Sequence, residues 1–202
     1  MIGILGGSFD PIHYGHLRTA LDVQLALGLD EIRLMPLRDP PHRDALASSA
    51  ETRLAMVKAA VADEPLFRVD DRELARTGKS YTLDTLLSLR EELGDEPLCL
   101  LMGTDAFRGF PGWYKPGEIL KQAHLVVMQR PGKVRPEIYP ERRVATADAL
   151  RGSSTGHILF QPVTQLDISA THIRAMLRAG QNPRYLLPDA VLAIIRQQNL
   201  YR

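Results

Sequence analysis

The opening of the chain constrains the fold most, because an apolar run leads through glycines into residues that favour a helix start. Met1–Leu5 is apolar and has the length of one buried strand of a parallel sheet. At Gly6–Gly7 the absent side chains allow a sharp turn and the close approach of a ligand. Ser8 and Asp10 are good helix caps, and Pro11 suits a first helical turn. This order predicts a phosphate site, because free N–H groups and the helix dipole attract anions.

Beyond the opening, strand and helix patterns alternate, which predicts a single Rossmann-like, doubly wound α/β fold with a mostly parallel sheet flanked by helices. The further predicted strands are Glu31–Pro36, Leu66–Asp70, Pro97–Met102, His124–Gln129 and Ile158–Pro162. The predicted helices are Tyr14–Leu27, Ala50–Ala62, Leu83–Leu93, Ser169–Ala179 and Pro188–Gln198. Residues 133–157 lack a regular pattern and predict a mobile connection. We expect one domain over residues 1–202, with a C-terminal helical part at about 168–202 packed on it.

Composition excludes several classes of function. A formal net charge of +1 gives no global basic surface for nucleic acid. The single cysteine, Cys99, excludes an internal disulfide and a cysteine-rich metal site, and its apolar neighbours predict a packed thiol. No apolar segment has the length of a membrane span, and the first residues lack a signal-peptide pattern. We therefore expect a cytoplasmic protein with no membrane or nucleic-acid partner, and the sequence leaves its oligomeric state open.

Two histidines follow the glycine turn. His13 and His16 are three residues apart, so on a helix they share one face and can meet one ligand. Surface residues or a metal pair are the alternatives, but the spacing does not match the H-E-x-x-H zinc pattern. We therefore expect the pair to contact a nucleotide.

Other polar residues follow predicted strands, at the edge where an open parallel sheet gathers its ligands. His42 and Arg43 follow the second strand, Asp105 the fourth and Arg130 the fifth. The alternatives are an exposed connection for His42 and Arg43, a helix cap for Asp105 and a solvated side chain for Arg130.

Two motifs carry a resemblance to known enzymes. Gly6-Gly-Ser-Phe-Asp-Pro11 with His13-Tyr-Gly-His16 resembles the opening of the H-x-G-H nucleotidyltransferases, and Ile168-Ser-Ala-Thr-His-Ile-Arg174 resembles their second signature, I-S-[SA]-T-x-I-R. Across nearly the whole chain the sequence is most similar to the bacterial nicotinate-nucleotide adenylyltransferases. The resemblance implies a nucleotidyltransferase fold. It also implies transfer of AMP from ATP to nicotinate mononucleotide, which gives deamido-NAD and pyrophosphate in NAD biosynthesis.

The resemblance also implies roles for individual residues. It makes His16, His13 and Arg174 catalytic. The implied ATP-binding residues are Gly6, Gly7, Ser8, Phe9, His13, His16, His42, Arg43, Asp105, Ser169, Thr171 and Arg174. The implied nicotinate mononucleotide-binding residues are Ser80, Tyr81, Thr82, Thr85, Trp113, Tyr114 and Arg130. Family members usually have lysine at the position of Arg43, so the charge is kept but its shape differs.

The residues of the acceptor segment also have structural interpretations. Ser80 or Thr82 fits the cap of the helix that follows. Trp113, the only tryptophan, lies in a loop bounded by glycine and proline and fits either as a cover for the core or as a stacking surface. The resemblance implies that an aromatic residue here stacks on the pyridine ring.

Nucleotidyl transfer needs alignment and charge neutralisation more than proton transfer, because the attacking phosphate is already ionised. His13 and His16 can supply imidazole N–H donors, Ser169 and Thr171 hydroxyl donors, and Arg174 a permanent forked cation. A triphosphate implies Mg²⁺, for which the substrate itself supplies oxygen ligands. The sequence shows no cluster of carboxylates that would surround a metal ion, so we predict no metal site built from protein side chains alone.

Several alternatives stay open. The same chemistry fits nicotinamide mononucleotide, phosphopantetheine or flavin mononucleotide as acceptor, and a catalytically silent nucleotide sensor is an alternative of another class. A dinucleotide-binding oxidoreductase would show G-x-G-x-x-G, which the opening does not match. An aminoacyl-tRNA synthetase would need a longer chain and a basic RNA-binding surface.

Overall fold

The structure is a computed structural model that describes residues 1–38, 46–76, 78–129 and 134–202. Its strands are β1 (Ile2–Gly7), β2 (Glu31–Pro36), β3 (Phe67–Val69), β4 (Leu98–Gly103), β5 (His124–Gln129), β6 (Arg143–Val144) and β7 (Ile158–Pro162). Its α-helices are α1 (Tyr14–Leu27), α2 (Ala50–Ala60), α3 (Arg72–Ala75), α4 (Thr82–Leu93), α5 (Thr104–Gly109), α6 (Pro116–Leu120), α7 (Ala147–Arg151), α8 (Ala170–Arg178) and α9 (Asp189–Gln197). Short 3₁₀ turns occupy Phe110–Gly112 and Pro140–Arg142.

The seven described strands form one sheet in the order β3-β2-β1-β4-β5-β7-β6, and each neighbouring pair is parallel. From β1 the chain moves outward to β2 and β3, then returns to β4 on the other side of β1. The strand order therefore reverses between β1 and β4, where an open α/β sheet has its ligand crevice. The predicted doubly wound parallel fold is confirmed.

Helices cover both faces of the sheet, because successive strand residues point to opposite sides. Ile2 and Ile4 of β1 pack in a core cluster with residues of α4, α5 and α6. Leu5 packs in a second cluster with residues of α1, α2, α8 and α9. The closing helices, including Ile173 and Val191, thus share a core with the sheet. Within the described ranges, no helix combines the length and apolarity needed to cross a bilayer.

Most predicted elements agree with the structure to within a few residues. Helix α1 matches its predicted limits, and Gly28 ends it in the left-handed conformation, with φ of +60°. Cys99 is fully buried in β4, as predicted, and its burial raises the pKa of the thiol to about 12.

The prediction that residues 133–157 are only a connection, with no strand or helix of their own, is wrong for the part that the structure describes. Arg143–Val144 forms strand β6 at the edge of the sheet, paired with β7, and α7 follows. A two-residue strand has no recognisable period in the sequence, and only the neighbouring strand supplies its hydrogen-bond partners.

Candidate active site

The candidate site lies where the carboxyl ends of β1 and β4 adjoin, at the reversal of strand order. Gly7 ends β1 and Gly103 ends β4, and the two strands pair directly. Asp105 follows β4 in the first turn of α5. Its carboxylate is open to solvent and accepts a hydrogen bond from Arg108 at 2.8 Å. Asp105 does not cap α5, because the N-cap position is Gly103.

The loop after β1 differs from the predicted glycine turn. Gly6 and Gly7 stay in the strand and pair with β2, and the left-handed residue is Phe9, with φ of +48°. A β-carbon on Gly7 would lie 2.8 Å from the Phe9 ring. The missing side chain at Gly7 therefore leaves room for a buried aromatic ring beneath the loop.

The predicted caps in this loop are also wrong. Helix α1 begins at Tyr14 with His13 as its N-cap, so Ser8 and Asp10 are not capping residues and Pro11 is not in the first turn. The Asp10 carboxylate instead accepts hydrogen bonds from two segments that are distant in the sequence, one near residue 47 and one near residue 201. Tertiary hydrogen bonds thus replace the local ones that the sequence pattern suggested.

His13 and His16 come together as predicted. Their rings stack with centroids 3.8 Å apart, and the Phe9 ring lies nearly perpendicular to the His16 ring, with centroids 5.2 Å apart. Burial lowers the pKa of His13 to about 4, so this imidazole is neutral at neutral pH. Its Nδ1 is buried and has no hydrogen-bond partner among the described residues. A neutral imidazole still carries one N–H donor, as contact with a phosphate oxygen requires.

The second motif lies against the first. Ser169 caps α8, where its Oγ accepts a hydrogen bond from the backbone N–H of His172 at 3.2 Å, as predicted. The carbonyl oxygen of Ile168 lies 3.3 Å from the place that a β-carbon on Gly15 would take. Residues about 150 positions apart in sequence therefore form one surface.

Arg174 joins the two motifs. Its Nη1 donates to the backbone carbonyl of Asp10 at 2.7 Å, and its Nη2 donates to the Thr171 hydroxyl at 3.3 Å. The guanidinium is half-buried and has further N–H groups. It can therefore contact an anion while it is held by the first loop.

The Asp10 carboxylate is the acceptor of a buried hydrogen-bond network that the sequence did not predict. It is buried and accepts hydrogen bonds from the backbone N–H of Ala47 at 2.7 Å, the Tyr201 hydroxyl at 2.6 Å and the Ser48 hydroxyl. Tyr201 lies beyond α9 and is buried as well. The sequence offers no signal for this contact, because 191 positions separate Asp10 from Tyr201.

Arg53 is a second residue that sequence reasoning missed. Its side chain is 1% exposed, and its Nη1 donates to the carbonyls of Ser8 at 2.9 Å and Leu37 at 2.6 Å. These carbonyls follow β1 and β2, so Arg53 ties the two loops together. A signal was present, because Arg53 shares the buried face of α2 with Met56 and Val57 at positions i, i+3 and i+4.

The two parts of the predicted acceptor segment meet in space. The rings of Tyr81 and Tyr114 have centroids 4.6 Å apart, and Trp113 meets Phe110 edge-on at 5.6 Å. Trp113 is half-buried and Tyr114 is exposed. An aromatic surface therefore stands beside the start of α4.

Neither Ser80 nor Thr82 caps α4, which begins at Thr82 with Tyr81 at its N-cap and no capping side chain. The Ser80 hydroxyl accepts a hydrogen bond from the backbone N–H of Arg38 at 3.1 Å. Thr85 is buried, and its hydroxyl donates to the carboxylate of Glu73 at 2.6 Å. Thr85 thus anchors the first turn of α4 to Glu73 of α3 in the protein interior.

Glu73 is a third residue that sequence reasoning missed. It is buried beside Thr85, and desolvation raises the pKa of its carboxyl group. Its Oε1 also lies 3.8 Å from the Arg76 guanidinium. The contacts of Glu73 connect α3 to α4 beneath the acceptor segment.

Three predicted site residues, His42, Arg43 and Arg130, lie outside the described residues. Among the residues that are described, no three His, Cys, Asp or Glu side chains gather as a metal site would need. The donors of the site are imidazole, hydroxyl, amide and guanidinium groups, which suit phosphate oxygens better than a bare cation.

Similarity to known proteins identifies the family to which this chain belongs. The cytidylyltransferase-like family model matches residues 4–176. The probable nicotinate-nucleotide adenylyltransferase of Aeromonas salmonicida (strain A449) is 50% identical over 208 residues, with 100% of this chain and 97% of that protein covered. The protein of the same name from Halorhodospira halophila (strain DSM 244 / SL1) is 53% identical over 198 residues, with coverage of 94% and 90%.

Solved structures show the same fold. Plasmodium falciparum nicotinic acid mononucleotide adenylyltransferase complexed with NaAD superposes with a TM-score of 0.76, 18% identity and coverage of 99% of this chain and 96% of that one. The protein named putative nicotinate-nucleotide adenylyltransferase from Vibrio parahaemolyticus superposes with a TM-score of 0.66 and 20% identity, with coverage of 100% and 94%. The full-length match to relatives about half identical in sequence, together with the two motifs joined at one sheet edge, leads to one assignment. The chain belongs to the cytidylyltransferase-like family and, within it, to the nicotinate-nucleotide adenylyltransferases.

Proposed function

We propose that this chain transfers AMP from ATP to nicotinate mononucleotide and releases pyrophosphate. The observation that carries the proposal is the contact between Arg174 Nη1 and the Asp10 carbonyl at 2.7 Å, which joins the two nucleotidyltransferase motifs. The names of relatives at about 50% identity over the whole chain support the acceptor.

The reaction is a displacement at the α-phosphorus of ATP. A phosphate oxygen of nicotinate mononucleotide forms the new P–O bond, and the bond to the oxygen that bridges the α- and β-phosphates breaks. That oxygen leaves with pyrophosphate, and no proton is needed from the attacking group because the phosphate is ionised. The protein therefore contributes alignment and stabilisation of negative charge.

Each residue of the joined motifs has a place in this scheme. His13 and His16 donate N–H groups to the oxygens that gain charge, and Arg174 neutralises the same charge from the α8 side. The N-terminus of α8, capped by Ser169, and the hydroxyl of Thr171 bind phosphate oxygens. Asp105 accepts a hydrogen bond from a ribose hydroxyl at the crevice between β1 and β4.

The acceptor would lie on the aromatic surface made by Tyr81, Trp113 and Tyr114. A pyridine ring stacks well on an indole face. The positive charge of a pyridinium ring adds attraction to that face. Ser80 and Thr82 lie beside this surface and can donate hydroxyl groups to the acceptor.

Mg²⁺ fits this site as an ion carried by the triphosphate, because the described residues offer hydrogen-bond donors rather than a cage of carboxylates. When bound with ATP, it supplies charge neutralisation on the phosphates.

The test measures pyrophosphate release with ATP and Mg²⁺, with nicotinate or nicotinamide mononucleotide as acceptor. We expect release with the acid form. We also expect His16→Ala to lower kcat by about 100-fold or more, since it removes a preorganised donor. His157→Asn is the matched control, because His157 precedes β7 at the opposite end of the sheet from the site.

Other outcomes separate the alternatives. Equal release with the amide would keep the chemistry and remove the acid-specific claim. Release only with phosphopantetheine or flavin mononucleotide would change the acceptor. If the protein binds ATP but releases no pyrophosphate with any acceptor, the proposal is overturned and the catalytically silent nucleotide sensor is favoured.

A further inference from the structure

One of the two groups that hold Arg174, the backbone carbonyl of Asp10, belongs to a residue whose side chain is buried away from both predicted substrates. Arg174 Nη1 is anchored on this carbonyl, so the orientation of Asp10 sets the place of the guanidinium. Asp10 is 4% exposed, and its side chain faces the protein interior rather than the crevice. Whatever holds the Asp10 carboxylate therefore also acts on Arg174.

Two hydroxyl groups hold one oxygen of that carboxylate. Oδ1 accepts from Tyr201 at 2.6 Å and from Ser48, while Oδ2 accepts from the backbone N–H of Ala47 at 2.7 Å. The Ser48 and Tyr201 hydroxyls lie 3.2 Å from each other. Hydrogen bonds are directional, so three donors from two segments fix the orientation of the carboxyl group.

Tyr201 is suited to this task. Its side chain is buried, and burial, followed by the hydrogen bond to Asp10, raises the pKa of its phenol, so the hydroxyl keeps its proton as a donor. Tyr201 follows α9, whereas Arg174 is on α8 and Asp10 is on the loop after β1. The contact thus connects three segments that are far apart in the sequence.

We infer that Tyr201 is a positioning residue for the transfer reaction, acting through Asp10 to hold Arg174 against the substrate phosphates. The inference rests on the proposed function. Tyr201 itself touches no reacting atom in this scheme. Its effect on rate passes through the guanidinium of Arg174, because hydrogen bonds connect Tyr201 to the Asp10 carboxylate and the Asp10 carbonyl to Arg174. A small displacement of such a group is enough to reduce turnover.

The test is a double-mutant cycle on kcat with Tyr201→Phe and Arg174→Met. Tyr201→Phe keeps the buried ring and removes one donor. We expect it to lower kcat about tenfold, with the KM for nicotinate mononucleotide within about twofold of wild type. In the Arg174→Met background we expect Tyr201→Phe to change kcat by less than about twofold, because the group that it positions is already absent.

Two further variants keep the test decisive. Tyr185→Phe is the matched control for the loss of a tyrosine hydroxyl, since Tyr185 is 81% exposed and its ring contacts the Arg184 guanidinium. Ser48→Ala removes the other hydroxyl donor to Oδ1 and should repeat the pattern at about threefold, so it replaces Tyr201→Phe if that variant does not fold. Thermal unfolding of every variant shows whether the rates compare folded proteins.

The results have distinct meanings. An equal loss of kcat in both backgrounds would make Tyr201 a structural residue only, and an unchanged kcat in the wild-type background would remove its role altogether. Either result overturns the inference while wild-type release of pyrophosphate upholds the proposed function. No release by the wild-type chain with any acceptor would instead overturn the proposed function, and the inference with it.

Discussion

A β-carbon on Gly15 would lie 2.9 Å from both Cε1 and Nδ1 of the His13 ring. The glycine inside the H-x-G-H motif is therefore needed for the shape of the site, because real β-carbons do not approach other atoms so closely. The His13 ring lies over this bare backbone and stacks on His16 at 3.8 Å. One missing side chain thus lets the two imidazoles share a surface at the start of α1.

Gly15→Ala should push the His13 ring away from His16. We expect kcat to fall about ten- to a hundredfold, because displacement of a donor by less than 1 Å weakens transition-state alignment. Gly117→Ala is the matched control, since nothing lies within 4 Å of the β-carbon that it would add. Steady-state pyrophosphate release measures both. Equal kcat values for the two variants would show that the ring contact does not limit the reaction.

The stability of the protein should fall as the pH drops through the titration of His13. The folded chain holds this imidazole neutral down to about pH 4, while the unfolded chain takes up the proton near the ordinary histidine pKa of about 6.5. Between these values the unfolded state binds more protons, so the free energy of unfolding rises with pH and is lost on acidification. The full effect is on the order of 3 kcal/mol, since one pKa unit corresponds to about 1.4 kcal/mol.

Urea unfolding at pH 7 and pH 4.5, for wild type and His13→Asn, measures this effect. The variant lacks the group, so its free energy of unfolding should fall less between the two pH values. Other titrating residues, including the buried His124, contribute equally to both proteins and cancel in the difference. Parallel curves for the two proteins would contradict a buried neutral His13.

Arg53→Met should destabilise the fold. It removes the donors to the buried carbonyl of Ser8 and the partly buried carbonyl of Leu37, and an unsatisfied buried carbonyl costs roughly 1–3 kcal/mol. We expect a loss of about 3 kcal/mol in the free energy of unfolding, measured by urea denaturation. Arg68→Met is the matched control, because Arg68 is exposed on β3 and should change stability by less than about 0.5 kcal/mol. Similar losses for both variants would argue against a special role for Arg53.

Trp113 should report acceptor binding directly. It is the only tryptophan, so a pyridine ring stacked on it should quench the tryptophan fluorescence of the protein. Trp113→Ala should raise the KM for nicotinate mononucleotide about tenfold, with the KM for ATP nearly unchanged, since one aromatic contact is worth roughly 1 kcal/mol or somewhat more. Titration of fluorescence with ATP alone is the control. Quenching by ATP but not by the acceptor would place Trp113 at the other substrate.

Local patterns predicted the elements well because their causes are local. Tyr14–Leu27 has helix-compatible residues and ends at Gly28, which adopts φ of +60° as a helix stop often does. Ser169 caps α8 with its own hydroxyl. In each case the deciding interaction lies within four residues. Capping by Ser8 and Asp10 was wrong, because tertiary contacts use the Asp10 carboxylate instead.

The sequence by itself determined the parallel α/β fold, the two motifs and the histidine pair, since these follow from the apolar runs, the glycines and the spacing of His13 and His16. Only the tertiary structure decided which carbonyls Arg53 binds, that β6 completes the sheet edge and that Tyr201 reaches Asp10. These features depend on hydrogen bonds between segments that the fold brings together. A residue pattern records what its neighbours in sequence allow, whereas a buried carboxylate binds whichever donors the packed core presents to it.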